Sequence, residues 1–203
     1  MLIEHRGARP VVDESAYVAP NAVVCGDVVI GPDCSVLFGA VIAADGGAVQ
    51  IGSGCVVMEN AVVRGTPKHA ARLGSQVLVG PHAHLTGCSI GDDVFLATGV
   101  AVFNGAEIGP RTEVRVNGVV HVKSVVPPDT TVPIGWVAVG VPAQLFAPEE
   151  HDSIWDVQRE MDFPGTVFGV SRDAPQGETI RRYAIALRDR HSGDELLEGA
   201  STS

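Results

Sequence analysis

Aliphatic residues recur at every sixth position through most of this sequence. The series covers residues 12–42, resumes at 51–63 and 73–85, and then continues without a break over 90–132. The residue two places before each aliphatic is nearly always small, and the residue after it is often glycine. Since side chains two apart on a strand share a face, each unit predicts a short strand that buries one small and one aliphatic residue and then turns.

A chain that bends at this interval three times per turn forms a three-sided coil. Strands of successive coils then pair in parallel about 4.8 Å apart, and each coil buries its apolar side on its neighbours. The aliphatic series predicts an all-β solenoid, a parallel β-helix of six to seven coils. Its two interruptions, at 45–50 and 65–72, predict loops that leave the solenoid at a corner. A β-sandwich is disfavoured because its turns come at uneven intervals of about 8–12 residues.

The pattern changes to helical periodicity after the last six-residue step. One helix is predicted to begin at Pro148 and to stop at 163–165, and a second is predicted over 178–190. We therefore divide the chain into a β-helix at residues 1–147 and a C-terminal helical extension at 148–203. We expect the extension to pack on the β-helix or on a neighbouring subunit, where it would cover exposed apolar surface.

Composition limits the partners and the compartment. The net charge of −10 disfavours nucleic acid and anionic membranes as partners. No apolar run reaches the roughly 18–20 residues that span a bilayer, and the N-terminus has no apolar signal segment. Cys34, Cys55 and Cys88 fall in the small inward position, and the four cysteines show no disulfide spacing. We expect a cytoplasmic protein without nucleic-acid or membrane partners.

Four segments are more specific than the six-residue repeat. They are VIAADGGAVQIG (41–52), VLVGPHAHLTGCSIG (77–91), NGAEIG (104–109) and VGVPAQ (139–144). Together they resemble the γ-class carbonic anhydrases of the hexapeptide-repeat superfamily, over roughly residues 10–147. The resemblance implies a left-handed coil and a homotrimer that binds zinc between subunits through three histidines.

The positions that correspond to these three histidines hold Arg64, Pro81 and Thr86. Carbonic anhydrase chemistry needs three protein ligands on zinc and an open position for an activated water. Arginine stays protonated, proline has no side-chain donor, and threonine is a poor zinc ligand. We therefore expect the usual metal site to be lost, no metal or other cofactor to be required, and normal CO2 hydration to be absent.

Several polar residues are expected near the former inter-subunit cleft. The candidate cleft residues are Arg64, Glu59, His82, His84, Thr86 and Asn104. The sequence assigns no catalytic residue; the candidates are His69, which lies in the second loop, His82 and Glu59. If a metal does bind, the expected ligands are the relocated histidines His69, His82 and His84.

The remaining histidines and the fourth cysteine are not expected to take part in the candidate site. His5 and His191 lie in terminal segments and are predicted to be solvated. His121 lies too far along the coil axis to join the others within one subunit. Cys25 follows an aliphatic position and is predicted to be more exposed than the other cysteines.

Four functions follow from these observations. The first is a γ-carbonic-anhydrase-like homotrimer that has lost its zinc and binds a small, anionic molecule at the cleft. The second is a hexapeptide acyltransferase that uses acyl-CoA, with His69 or His82 as general base. The third is a carbonic-anhydrase-type metalloenzyme with relocated ligands, and the fourth is a structural or assembly subunit. A trimer is expected in each case, because an isolated prism would expose flat apolar faces.

Overall fold

Three parallel sheets form the faces of a triangular prism and confirm the predicted solenoid. The computed structural model describes residues 1–197, and each turn of the chain contributes one strand to each face. The first face contains β1 (Leu2–Glu4), β4 (Val23–Cys25), β7 (Val41–Ala44), β10 (Val62–Gly65), β13 (His84–Thr86), β16 (Ala101–Val102), β19 (Val119–Val120) and β22 (Val137–Val139).

The other two faces have seven strands each. The second face contains β2 (Val11–Val12), β5 (Val28–Ile30), β8 (Val49–Ile51), β11 (Ala71–Leu73), β14 (Ser89–Ile90), β17 (Glu107–Ile108) and β20 (Val125–Val126). The third face contains β3 (Tyr17–Val18), β6 (Ser35–Val36), β9 (Val56–Val57), β12 (Leu78–Val79), β15 (Phe95–Leu96), β18 (Glu113–Val114) and β21 (Thr131–Val132).

The first face is longer than the repeat predicts. Antiparallel strands close it at both ends, β23 (Gln144–Phe146) on β22 and β24 (Glu195–Leu196) on β1. The structure has about eight coils rather than six to seven, because β1 and β22 continue the first face beyond the regular series.

The aliphatic series forms the core. Every member is buried except Val12 and Val18 in the first coil, which are half-buried. Cys34, Cys55 and Cys88 are buried at 2%, 0% and 1% exposure, as the small inward position predicted. The register aligns like residues of successive coils, so that each aliphatic side chain packs on the one above and the one below.

The extension has three α-helices among the described residues: α1 (His151–Gln158), α2 (Phe163–Val167) and α3 (Gln176–His191). The second predicted helix, over 178–190, matches α3. The predicted stop at 163–165 was wrong, because Asp162 adopts a left-handed conformation and its carboxylate accepts from the Gly165 N–H, so it caps a new helix there. In place of the first predicted helix, α1 begins three residues later than predicted and ends earlier, at Gln158. A 3-10 turn over Arg159–Met161 follows it. Within residues 1–197, no helix has the length and apolarity needed to cross a membrane.

The extension packs on the β-helix of its own chain. The Phe163 ring lies 5.9 Å from the Phe103 ring and 5.8 Å from the His121 ring, centroid to centroid. Lys68 Nζ donates to the Gly165 carbonyl at 3.1 Å. At the other end, β24 pairs with β1, so the extension runs along the solenoid back to its first coil.

Candidate functional site

The register of the first face sets a column of outward side chains. Each residue of this outer column directly follows the buried aliphatic of its strand, and the pairings place Cys25 beside Ala43, Ala43 beside Arg64 and Arg64 beside Thr86. Along each strand, side chains alternate between the buried side and the outer side, because successive side chains point to opposite faces of a sheet. The structure therefore brings Arg64 and Thr86 together on adjacent coils.

Arg64 is bound to a buried carboxylate. Its Nη2 lies 2.5 Å from Asp45 Oδ2, and Asp45, in the first loop, is only 2% exposed. Arg190 of α3 donates to the other oxygen, Asp45 Oδ1, and His191 Nε2 lies 3.5 Å from that same oxygen. Burial by itself would raise the pKa of Asp45, but the Arg190 hydrogen bond and the charges of Arg64, Arg190 and His191 outweigh it and lower that pKa.

Two guanidinium groups share the carboxylate of Asp45, and Arg64 and Arg190 are 28% and 16% exposed. Arginine stays protonated at any physiological pH. The partly exposed Arg64 therefore keeps a positive charge at the surface of the first face, where an anion could meet it.

His84 lies beside this charge. It pairs with Val62 on the neighbouring coil, and it lies two positions before Thr86, the outer-column residue of its strand. Partial burial and then the positive charge of Arg64 lower the pKa of His84. The imidazole is therefore held neutral at pH 7, where it can donate one hydrogen bond and accept another.

His82 and Glu59 lie at the corner between the third and first faces. The His82 N–H donates to the Glu59 carbonyl at 3.1 Å, and His82 has a left-handed φ of 57°. Only His84 belongs to strand β13. The two histidines of the H-x-H pair thus lie one in a turn and one in a strand, and they do not share a strand face.

His69 and Asn104 lie at the opposite corner, between the first and second faces. The second loop closes through Thr66 N–H to the His69 carbonyl at 2.8 Å, and Asn104 Nδ2 donates to Thr66 Oγ1 at 3.2 Å. Burial, followed by the charges of Lys123 and Lys68, lowers the pKa of His69. Within one chain, the structure does not bring His69 together with His82 and His84 as a ligand set; that alternative would need a second subunit.

The proteins that this chain is similar to belong to the family that its sequence resembles. No family model matches the chain. Gamma carbonic anhydrase 1, mitochondrial, of Arabidopsis thaliana is 33% identical over 143 residues, which is 68% of this chain and 50% of that protein. A carbonic anhydrase of Geobacillus kaustophilus is 26% identical over 159 residues, 78% of this chain and 84% of that protein.

This chain belongs to the γ-carbonic-anhydrase-like proteins of the hexapeptide-repeat superfamily. The crystal structure of a hexapeptide transferase family protein from Anaplasma phagocytophilum has a TM-score of 0.53, at 26% identity over 79% of this chain and 92% of that one. The fold is thus the left-handed parallel β-helix that the resemblance implied. The chain spans about half the length of the plant relatives that it matches.

In this γ-carbonic-anhydrase-like chain, the residues that the sequence reading missed come from the C-terminal segment. Asp194 Oδ1 lies 2.5 Å from His5 Nδ1, and its other oxygen lies 2.8 Å from His191 Nδ1. His5 was expected to be solvated but is 3% exposed. That expectation was wrong, because the end of α3 and β24 fold over the first coils and cover them. Cys25 is more exposed than the other cysteines, as expected, but at 6% it is still buried.

The polar and charged groups around this segment shift one another's pKa values. Burial would raise the pKa of Asp194, but hydrogen bonds from His5 and His191 outweigh it and lower that pKa. Burial and the carboxylates of Asp194 and Asp45 raise the pKa of the Cys25 thiol to about 11. No local sequence pattern connects these residues, since Asp194 and His5 lie at opposite ends of the chain.

Proposed function

We propose that this chain forms a γ-carbonic-anhydrase-like homotrimer that has lost the usual zinc site, lacks normal CO2 hydration and binds a small anion at the inter-subunit cleft. The observation that carries the proposal is the Arg64–Asp45 ion pair. By the resemblance, Arg64 stands where the family has its first zinc-ligating histidine. In this chain the position holds a cation that is already bound to a buried carboxylate.

The residues at this position do not fit the zinc of the family. A guanidinium has five N–H donors and no lone pair to offer a metal, and its positive charge would repel one. Thr86, the neighbour of Arg64 on the next coil, has only a hydroxyl, which is a weak ligand for zinc at neutral pH. Pro81, in the third position, has no donor at all. A zinc-bound water is therefore not part of the proposed function.

The same residues suit an anion. The partly exposed Arg64 guanidinium, the neutral His84 imidazole and the Thr86 hydroxyl lie on adjacent strands of the first face. Arginine and hydroxyl groups are the common ligands of carboxylate, carbonate and phosphate groups. A small oxyanion such as bicarbonate would find one charged and two neutral hydrogen-bonding groups there.

Exposed apolar side chains support the trimer. On the third face, Tyr17 and Phe95 are each 45% exposed, and Ile134 is 65% exposed. Met58, Leu78 and Phe95 line an open groove on this face. Apolar area of this kind commonly marks a subunit interface, so we expect the trimer to bury the third face.

Two measurements test the proposal. Protein loaded with zinc should hydrate CO2 no faster than buffer in a stopped-flow assay, and a zinc-dependent rate would overturn the loss of the site. Bicarbonate should raise the melting temperature of the wild type. Arg64→Gln should lose this shift, whereas Arg111→Gln should keep it, because Arg111 pairs only with Asp129 on an exposed edge. Light scattering should give the mass of a trimer.

One observation favours the acyltransferase as the second candidate. The lowered pKa of His69 keeps its imidazole in the neutral form that a general base requires, and the superfamily includes transferases such as the Anaplasma relative. Acetyl-CoA should then stabilise the wild type and transfer to an amine acceptor, with His69→Ala losing transfer. No stabilisation by bicarbonate, CoA or acetyl-CoA would favour the structural or assembly role.

A further inference from the structure

We propose that His5, Cys25 and Asp194 form a binding site for one divalent transition-metal ion of the zinc type, which clamps the C-terminal segment to the first coils. The site is separate from the family's inter-subunit metal position at Arg64. The proposal does not depend on the function proposed above, and the role of the ion is structural and not catalytic.

The three side chains converge from three distant parts of the chain. His5 directly follows β1, Cys25 ends β4, and Asp194 lies between α3 and β24. One ring nitrogen of His5, the sulfur of Cys25 and one carboxylate oxygen of Asp194 all lie within 4.8 Å of one another. In residues 1–197 this is the one group of three or more His, Cys, Asp or Glu side chains with such spacing.

A second observation points to a missing partner. His5 is 3% exposed; its Nδ1 lies 2.5 Å from Asp194 Oδ1, and its Nε2 is buried without a hydrogen-bond partner among the described residues. An ion bound at Nδ1 would replace the contact with Asp194, and one bound at Nε2 would satisfy the unpartnered nitrogen. A buried polar atom without a partner costs about 1–3 kcal/mol, so such atoms are rare unless an ion or water satisfies them. Cys25, which faces outward in the column of the first face, is also closed off at 6% exposure.

The donor set is that of a tetrahedral zinc site. Imidazole nitrogen, thiolate sulfur and carboxylate oxygen are the three ligand types that zinc takes in proteins, and the thiolate selects against calcium and magnesium, which prefer oxygen. Binding forms the metal–sulfur bond and releases the thiol proton to solvent. The ion then carries two positive charges against the two negative charges of thiolate and carboxylate.

His191 is positioned to supply or support the fourth ligand. Its Nδ1 lies 2.8 Å from Asp194 Oδ2, and its ring lies 4.8 Å from the His5 ring, centroid to centroid. On its other side, His191 Nε2 lies 3.5 Å from Asp45 Oδ1. A carboxylate behind a ligating histidine fixes the orientation of the ring. The fourth position is thus filled by His191 or by water.

The ion would stabilise the docking of the extension. β24 is only two residues long and pairs with β1 at its edge, and α3 has no buried residue. So weak a packing surface leaves the C-terminal segment dependent on the polar contacts of Arg190, His191 and Asp194. A metal bound only by the folded form stabilises it in proportion to the logarithm of metal concentration over Kd.

The experiment uses the full chain, stripped with a chelator and reloaded with Co2+ or Zn2+. We expect about one metal per chain by elemental analysis, and a thiolate-to-cobalt charge-transfer band in the near ultraviolet. Cys25→Ser should abolish that band and weaken zinc binding by about tenfold or more, on the scale of ligand-shell changes. The double variant His82→Gln/His84→Gln is the matched control and should keep both.

Asp194→Asn provides a second test, because this residue lies in the C-terminal segment outside the core. It should weaken zinc binding, and zinc should no longer raise the melting temperature as it does in the wild type. The proposal is overturned if the loaded wild type holds less than a tenth of a metal per chain, or if Cys25→Ser keeps its full metal content. It is equally overturned if the control loses the metal, which would place the ion in the cleft. CO2 hydration, which tests the proposed function, is read out separately.

Discussion

The substitution Asp45→Asn removes the one carboxylate shared by Arg64, Arg190 and His191. Asp45 is 2% exposed; its Oδ1 accepts a hydrogen bond from Arg190, and its Oδ2 forms an ion pair with Arg64. The amide keeps the shape of the side chain but loses the charge, and its NH2 group can only face a guanidinium as a second donor. The variant therefore leaves two arginines close together without an anion between them.

The loss of stability in Asp45→Asn can be estimated from how deeply the ion-pair partners are buried. Breaking a fully buried ion pair by neutralising one partner costs about 3–5 kcal/mol. Arg64 and Arg190 are 28% and 16% exposed, so both can turn partly toward water, and roughly half of that cost, about 2 kcal/mol, should remain. For a chain of this size, 2 kcal/mol corresponds to a fall in melting temperature of about 4–8 °C.

Urea denaturation followed by circular dichroism, at pH 7.5 and one protein concentration, measures this loss. Asp129→Asn is the matched control: Asp129 pairs with Arg111, their side chains are 64% and 56% exposed, and water screens the pair, so this variant should be almost as stable as the wild type. Equal stability of the two variants would refute the argument that the Asp45 cluster holds the extension on the β-helix.

The pKa of Asp45 determines how the stability difference between wild type and Asp45→Asn changes with pH. The pKa of Asp45 is lower in the folded chain than its ordinary value of about 3.9 in the unfolded chain. Its contribution is therefore complete above the unfolded pKa and is lost as the pH falls through the folded pKa. The stability gap between wild type and Asp45→Asn should therefore shrink as the pH falls below about 4; a gap that widens in that range would contradict the assignment.

Three further substitutions, two of them with a matched control, test the packing of the prism. Gly65→Ala would place its Cβ 2.1 Å from a backbone oxygen of the neighbouring coil and should cost several kcal/mol in urea denaturation, whereas Gly177→Ala, with open space in a helix, should be neutral or stabilise by up to about 1 kcal/mol. Leu85→Ala should cost about 2–5 kcal/mol because Leu85 is fully buried, and Ile180→Ala, at 68% exposure, less than about 0.5 kcal/mol in the same assay. His121→Phe should keep or raise the melting temperature, because it replaces a buried ring whose Nδ1 has no partner in the described structure; a fall of several degrees would show that this imidazole has an unseen role.

The site was only partly accessible from the sequence. Arg64 and Thr86 were both named as cleft candidates, and the regular register of the coils places them side by side on adjacent strands. His82 and His84 were named together as well, but the chain turns between them, and the left-handed backbone at His82 removes it from the strand. The repeat does not reveal where the chain bends relative to an individual polar residue near a corner.

The repeat by itself determined the solenoid, its buried aliphatic columns and the inward cysteines, because each coil packs only on its neighbours and every contact is a fixed number of residues away. The extension obeys no such rule. Only the tertiary structure decided that Arg190 reaches Asp45 and that Asp194 meets His5. These contacts join residues from opposite ends of the chain, and their geometry depends on how the extension lies along the whole prism, which no local spacing encodes.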